Sequence, residues 1–353
     1  MLLNITKIRQ AADFDSSTLM SDFISYLKSR GCQIIDQLEI CSITSAGNGL
    51  CATGDIDTDS TLFSLPASVA VHGELLDLLT FILVESGNTT GEWSLWASLW
   101  PSHPGCLGYI DEIALIEGTT LYAALAARIA GAENHVEAVS PALVSTNPMK
   151  VLYAEMLAWS RAVGVPSNHP SGCTFALIPL LDMCNHSFTP NARWEFNDDS
   201  YSLVATKDIG TGEEICISYG DKSNEELMYL YGFCTPDNQN DTVMLLAYLE
   251  EDDPLVNEKV QLLRSLQLPA RFCINNDGSV RNSYKWTAAI VGSQQIDKFS
   301  SEMDVSLSLP DWADTIANSI LRREADKLLN VVAQDTHSRK GVASDLMARL
   351  KKP

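Results

Sequence analysis

Two short stretches hold most of the residues in this chain that could do chemistry. The first is Asn185-His186-Ser187-Phe188-Thr189-Pro190-Asn191, and the second is Glu213-Glu214-Ile215-Cys216-Ile217-Ser218-Tyr219-Gly220. The first sets two amides, an imidazole and a proline in a turn that serves neither helix nor strand propensity, so local stability does not account for the choice. It offers a concave polar surface suited to a heterocycle. The second is an apolar alternating strand that ends by presenting a phenol beside a glycine. With an ordinary pKa near 10, that phenol stays protonated at neutral pH and acts by hydrogen bonding.

Other candidates lie upstream and downstream. Gly47-Asn48-Gly49 is a turn in which the main chain can approach a ligand closely, although such turns also join ordinary strands. Arg161 closes a helix whose apolar face includes Leu152 and Leu157. It either complements that helix's dipole or offers a guanidinium fork to a carboxylate. Asp182 is either a buried orienting group or part of a substrate entrance. Tyr231 and Phe233 are either channel walls or core. No Gly-x-Gly-x-x-Gly opens a helix, which disfavours a Rossmann-type nucleotide site. His186 has no second His or Cys at ligand spacing, so no metal is expected.

The elements that must position these groups alternate in type. Apolar spacing at Leu19, Phe23, Ile24 and Leu27 predicts an amphipathic helix over 16–30, ending before Gly31. Short β runs follow over 42–66. From His72 to about Arg161 the period is helical, and after Thr174 strands are expected at 175–180, 192–196, 201–205 and 215–219, closed by a helix over 224–231. Beyond about Asn240 the spacing is helical again, over 255–266 and 311–350.

Composition narrows the class. A chain of 353 residues, 46% hydrophobic, supports about two domains. Its most apolar stretch, over 75–84, is broken by Asp77 and Thr80 and is far shorter than the ~20 residues of a membrane span. The amino terminus lacks a basic region followed by a long apolar run, so a cytoplasmic or nuclear protein is expected. Nine cysteines without a Cys-x-x-Cys pair read as reduced thiols rather than as a disulfide frame or structural zinc. A net charge of -21, from 24 basic against 45 acidic residues, argues against nucleic acid and for a basic partner, or simply for solubility.

The order of the motifs carries a family resemblance. Gly47-Asn48-Gly49-Leu50, a β segment, a helical insert, Ser160-Arg161, Leu180-Leu181-Asp182-Met183-Cys184-Asn185-His186-Ser187, Ile217-Ser218-Tyr219-Gly220 and Tyr231-Gly232-Phe233 follow one another along the chain. In this order they resemble the SET-domain protein-lysine methyltransferases of the Rubisco large-subunit methyltransferase-like subfamily, which includes fungal ribosomal lysine methyltransferases. The resemblance implies an α+β fold: a SET domain of short β-sheets over 15–235 with a pseudoknot and a helical insert at about 68–160, then an all-helical substrate-binding domain over 241–353. It implies S-adenosyl-L-methionine as cofactor, held by Ala46, Gly47, Asn48, Gly49, Ser160, Arg161, Asn185, His186 and Tyr219. In the family the position of Ala46 is often acidic. Tyr219 is implied as the catalytic residue, and Asp182, Tyr231 and Phe233 as substrate contacts. The implied activity is protein-lysine methylation of a ribosomal or other basic protein; histidine methylation within the same family and a binding module without turnover are the alternatives.

Overall fold

In the computed structural model the described residues are 16–44, 46–106, 120–139, 147–165, 172–197, 199–236, 238–247, 249, 253–269, 271–275, 277–300 and 303–335. They fall into two compact units. The first draws on Met1–Asp111, Ala126–Asp221 and Met228–Gly232, and the second on Glu112–Leu125, Lys222–Leu227 and Phe233–Pro353.

The first unit starts with helix α1 (Ser16–Ser29), whose Phe23 and Leu27 are fully buried. Each such side chain contributes about 1.5–3 kcal/mol. Strands β1 (Gln33–Ile34), β2 (Leu38–Ile43), β3 (Gly47–Ala52), β4 (Thr61–Pro66) and β5 (Val71–Gly73) follow. The insert then holds α2 (Leu75–Glu85), α3 (Ser94–Leu99), α4 (Thr120–Ala138) and α5 (Pro148–Arg161). A reciprocal pair of hydrogen bonds between Glu74 and Asp77 caps α2. The Asn147 side chain accepts from Lys150 N to start α5, with Pro148 in its first turn. Everything in α5 from Val151 to Ala158 is buried, so its last residue, Arg161, is delivered from a fixed rod. Phe81, Trp93, Trp96 and Trp100 form an aromatic cluster within the insert, mostly edge to face, with Phe81 tilted on Trp96.

The remaining strands are β6 (Val163–Gly164), β7 (Phe175–Leu177), β8 (Asn185–His186), β9 (Ala192–Asn197), β10 (Ser200–Ala205) and β11 (Glu214–Ile217), before α6 (Asn224–Tyr231). They assemble as three small sheets, ordered β1-β4-β10-β9, β2-β3-β11-β8 and β5-β7-β6. The second sheet matters most. Its β3 and β11 are antiparallel, with Leu50 opposite Ile215, while β11 and β8 are parallel, with Asn185 opposite Cys216. The three motif segments therefore lie side by side.

The second unit contains β12 (Thr242–Leu246), α7 (Val256–Ser265), β13 (Arg271–Asn275), α8 (Asn282–Gly292) and α9 (Asp311–Asp335). Its core includes Phe272, Trp286, Ile290, Ala313 and Ala317. Gly292 lets α8 meet α9 closely, since a Cβ there would lie 2.5 Å from Ile320 Cγ1. The expectation of an all-helical region is corrected: β12 and β13 pair antiparallel over five residues each. A five-residue apolar run has too few residues to show a period of 2 against 3.6. The predicted helix over 311–350 is observed to Asp335, and its remainder lies outside the described residues.

The cysteine reading is corrected as well. Cys41 and Cys51 are joined by a disulfide, while Cys32, Cys106, Cys173, Cys184, Cys216, Cys234 and Cys273 keep their thiols. The pairing comes from hairpin register. Cys41 lies opposite Gly49, which makes Cys51 its diagonal neighbour on the same face.

Candidate active site

The polar groups of the second sheet converge on its β3-β11-β8 side. At the β2–β3 turn, Ala46 is exposed and donates its amide to Ile43 O at 3.1 Å. Gly47 has φ +82, a conformation that favours glycine. Asn48 donates its side chain to Leu99 O at 3.0 Å, tying the turn to the end of α3. Gly49 is buried against the motif strands: a Cβ there would sit 2.6 Å from Ile43 Cγ1, 3.0 Å from Asn185 Nδ2 and 3.0 Å from Glu214 Oε1.

Asn185 uses its amide nitrogen on both neighbours, donating to Glu214 Oε1 at 2.6 Å and to Asn48 O at 3.4 Å. His186 accepts the backbone N–H of Tyr219 at Nδ1, 3.0 Å away, which places its own proton on Nε2. The imidazole thus fixes where Tyr219 begins. Its ring lies 4.5 Å from Phe188 and 5.2 Å from Tyr219 between centroids.

The Tyr219 hydroxyl donates to Cys184 O at 2.7 Å, and its ring is 4.5 Å from that of Tyr231. Burial pushes the phenol above its ordinary range, with Arg161 opposing. It remains a neutral hydrogen-bonding group throughout the working pH range. Burial also pushes the Cys216 thiol up to about 12, helped by Glu214, so that thiol stays neutral too.

Arg161 reaches from the end of α5 into the short helical turn Leu181–Met183, donating from Nη1 to Asp182 O and lying 3.6 Å from Asp182 Oδ2. Trp96 Nε1 donates to the same carboxylate oxygen at 3.0 Å. Burial pushes the Asp182 carboxyl up to about 6, against the opposing pull of Arg161 and the Trp96 bond. Its carboxylate is spent on Trp96 and Arg161 rather than turned to solvent. That turn begins at Leu180, which is buried with φ +65, a conformation that costs a β-carbon-bearing residue of order 1–3 kcal/mol and recurs at functional sites.

Among the described residues, neither the buried Arg161 Nε nor the buried Asp182 Oδ1 has a hydrogen-bond partner. Leaving a buried donor unmatched costs about 1–3 kcal/mol. A guanidinium N–H held in this way fits the carboxylate of an amino-acid ligand, such as the methionine end of S-adenosylmethionine. The residues present therefore suit that group.

Of the residues singled out from sequence, Gly47, Asn48, Gly49, Asn185, His186 and Tyr219 are brought together by one sheet, with Arg161, Asp182 and Tyr231 reaching the same motif segments. Ser160 turns its hydroxyl back to Leu157 O at 3.2 Å within its own helix. Phe233 belongs to the second unit. Sequence reasoning gave no role to three groups. Glu214 holds Asn185, Trp96 holds Asp182, and the buried Asn191 donates to Glu214 O at 2.8 Å while accepting from Cys216 N at 2.8 Å. Glu214 could have been found from its place at the start of the alternating strand, on the same face as Cys216. Trp96 left no such signal.

Comparison with known proteins agrees with this geometry. A family model described as SET domain matches residues 47–220. SET domain-containing protein 8 of Schizosaccharomyces pombe is 33% identical over 134 residues, covering 37% of this chain and 29% of that protein. Ribosomal lysine N-methyltransferase set10 of the same yeast is 27% identical over 274 residues, covering 67% of this chain and 49% of that one. The chain thus spans about half, or less, of the length of these relatives. Among solved structures, the SET domain of LSMT bound to lysine and AdoHcy superposes with a TM-score of 0.68 at 18% identity, over 87% of this chain and 76% of that one, a likeness of fold. Residues 47–220 thus match the SET domain family, and the chain shares the fold of the solved LSMT SET domain.

Proposed function

We propose that this chain is an S-adenosylmethionine-dependent protein-lysine N-methyltransferase that acts on a ribosomal or other basic protein in the cytoplasm or nucleus. The observation that carries the reading is the parallel pairing of β8 with β11, which sets Asn185 and His186 beside the strand leading into Tyr219. The name of the yeast relative set10 and the net charge of -21 favour a basic ribosomal substrate.

S-adenosylmethionine, when bound, supplies a methyl group activated by a sulfonium. Arg161 and the turn at Gly47-Asn48-Gly49 are the groups that would hold its amino-acid end, and Asn185 and His186 flank them. Tyr219 directs its O–H into a hydrogen bond to Cys184 O, so its oxygen lone pairs are left to accept from an incoming amine and orient it. Lysine, with a pKa near 10.4, is neutral in only about one molecule in a few thousand at pH 7. Burial of the amine beside the Tyr219 and Tyr231 rings disfavours its ammonium form and raises the nucleophilic fraction. Positioning, with the reacting atoms roughly 3–3.5 Å apart, supplies the rest of the barrier reduction.

The test is incubation of the full chain with methyl-labelled cofactor and a ribosomal fraction. Label recovered as methyl-lysine after amino-acid analysis is the expected result. Methyl-histidine would replace the lysine assignment, and folded protein that transfers no label to any fraction would end the reading. Absence of cofactor binding at high micromolar concentration would leave a binding module without turnover.

A further inference from the structure

We propose that Glu214 decides which way round the Asn185 amide faces the cofactor, and so makes that amide a receptor for the ligand's ammonium. This deepens the S-adenosylmethionine reading and rests on it. An asparagine amide has a donor end and an acceptor end of nearly equal size, and only its neighbours decide which is turned outward. Both neighbours of Asn185 Nδ2 accept and neither donates: a carboxylate oxygen of Glu214 at 2.6 Å and the Asn48 carbonyl at 3.4 Å. Turning the amide over would press Oδ1 against a carboxylate oxygen at that short separation. The amide is held with Oδ1 free to accept.

The surroundings keep this arrangement in register. Glu214 sits opposite Cys51 in the β3–β11 ladder, and its carbonyl accepts from the buried Asn191 amide at 2.8 Å. Gly49 leaves room for the pair, because a Cβ there would lie 3.0 Å from both Asn185 Nδ2 and Glu214 Oε1. At the turn itself Ala46 is exposed and uncharged. The negative charge at this end of the site therefore comes from the neighbouring strand, one hydrogen bond behind Asn185. An amino-acid ligand whose carboxylate meets the unmatched Arg161 Nε has its ammonium left to satisfy, and an acceptor backed by a carboxylate is its complement. Glu214 is a positioning residue: it acts through Asn185.

The experiment compares binding of two ligands to the full chain by calorimetry, S-adenosylhomocysteine and its analogue lacking the α-amino group. Glu214→Gln keeps size and shape but can both donate and accept, so it tolerates either orientation of the amide. It is expected to weaken S-adenosylhomocysteine by about ten- to hundredfold, the range for a hydrogen bond to a charged group, and to leave the deamino analogue within about threefold. Equal loss for both ligands, or no loss for either, overturns the proposal. Should Glu214→Gln melt well below the parent, the same comparison is made in an Asn185→Ala background, where adding Glu214→Gln is expected to change S-adenosylhomocysteine affinity no further; an additional selective loss there overturns it. If the parent protein binds neither ligand, the methyltransferase reading fails first and takes this proposal with it, an outcome distinct from failure of Glu214 alone.

Discussion

Replacing Tyr219 by phenylalanine separates catalysis from architecture, because the structure assigns the ring and the hydroxyl different work. The ring packs 4.5 Å from Tyr231 and 5.2 Å from His186 between centroids, and phenylalanine keeps both contacts, worth about 0.5–1.5 kcal/mol per aromatic pair. The backbone bond to His186 Nδ1 is also untouched. What disappears is the 2.7 Å bond to Cys184 O, with a cost of about 1–3 kcal/mol if that buried carbonyl is left unmatched. Domain stability is about 5–15 kcal/mol, so even the worst combination leaves ~2 kcal/mol and roughly 97% of molecules folded. Unfolding therefore accounts for only a few per cent of any lost activity. Removing a preorganised hydrogen-bonding group from a reacting centre costs about 10²–10³ in turnover. In a single-turnover assay with labelled cofactor, Tyr219→Phe is expected to lose at least about a hundredfold while S-adenosylhomocysteine affinity stays within about threefold. Turnover within about tenfold of the parent would refute the reasoning, as would a parallel loss of affinity, since either makes the hydroxyl structural.

Three further outcomes follow from the same geometry. Burial raises the Asp182 carboxyl from 3.8 to about 6, so between those values the folded chain keeps a proton that the unfolded chain has lost. Stability should then fall as pH rises through that window, by up to about 3 kcal/mol, and urea titrations of Asp182→Asn should lack that slope; identical slopes would show that Asp182 is not the titrating group. Gly49→Ala, whose Cβ meets Ile43, Asn185 and Glu214, should weaken S-adenosylhomocysteine by about tenfold or more, whereas Gly47→Ala meets nothing within 4 Å and should cost only about 1–2 kcal/mol of stability for its φ of +82. Calorimetry that ranks the two variants the other way would place the ligand elsewhere. The Cys41–Cys51 bond closes a separation of ten residues, so Cys41→Ser with Cys51→Ser should lower the oxidised protein's stability by roughly 2–3 kcal/mol and match the dithiothreitol-reduced parent; a variant as stable as the oxidised parent would show that the hairpin needs no crosslink.

What the sequence reveals and hides here follows from the range of each interaction. Helix α1 was legible because Phe23 and Leu27 lie one turn apart, and both are fully buried. The motif residues were legible as candidates because Asn185-His186 serve neither helix nor strand propensity and Tyr219 closes an alternating apolar strand beside a glycine. Pairings that depend on register were not. Cys41 and Cys51 look like two of nine scattered thiols until β2 and β3 are aligned, and β12 finds β13 only across α7. Glu214 lies between these cases. Its alternation within β11 shows which face it takes, yet nothing in the chain says that Asn185 stands on the adjacent strand with its donors turned toward it. The short separation of those two side chains is a property of the sheet, and it converts an amide of ambiguous polarity into one with a defined acceptor. A sequence thus shows which groups are available for binding, while strand register decides which end of each group a ligand meets.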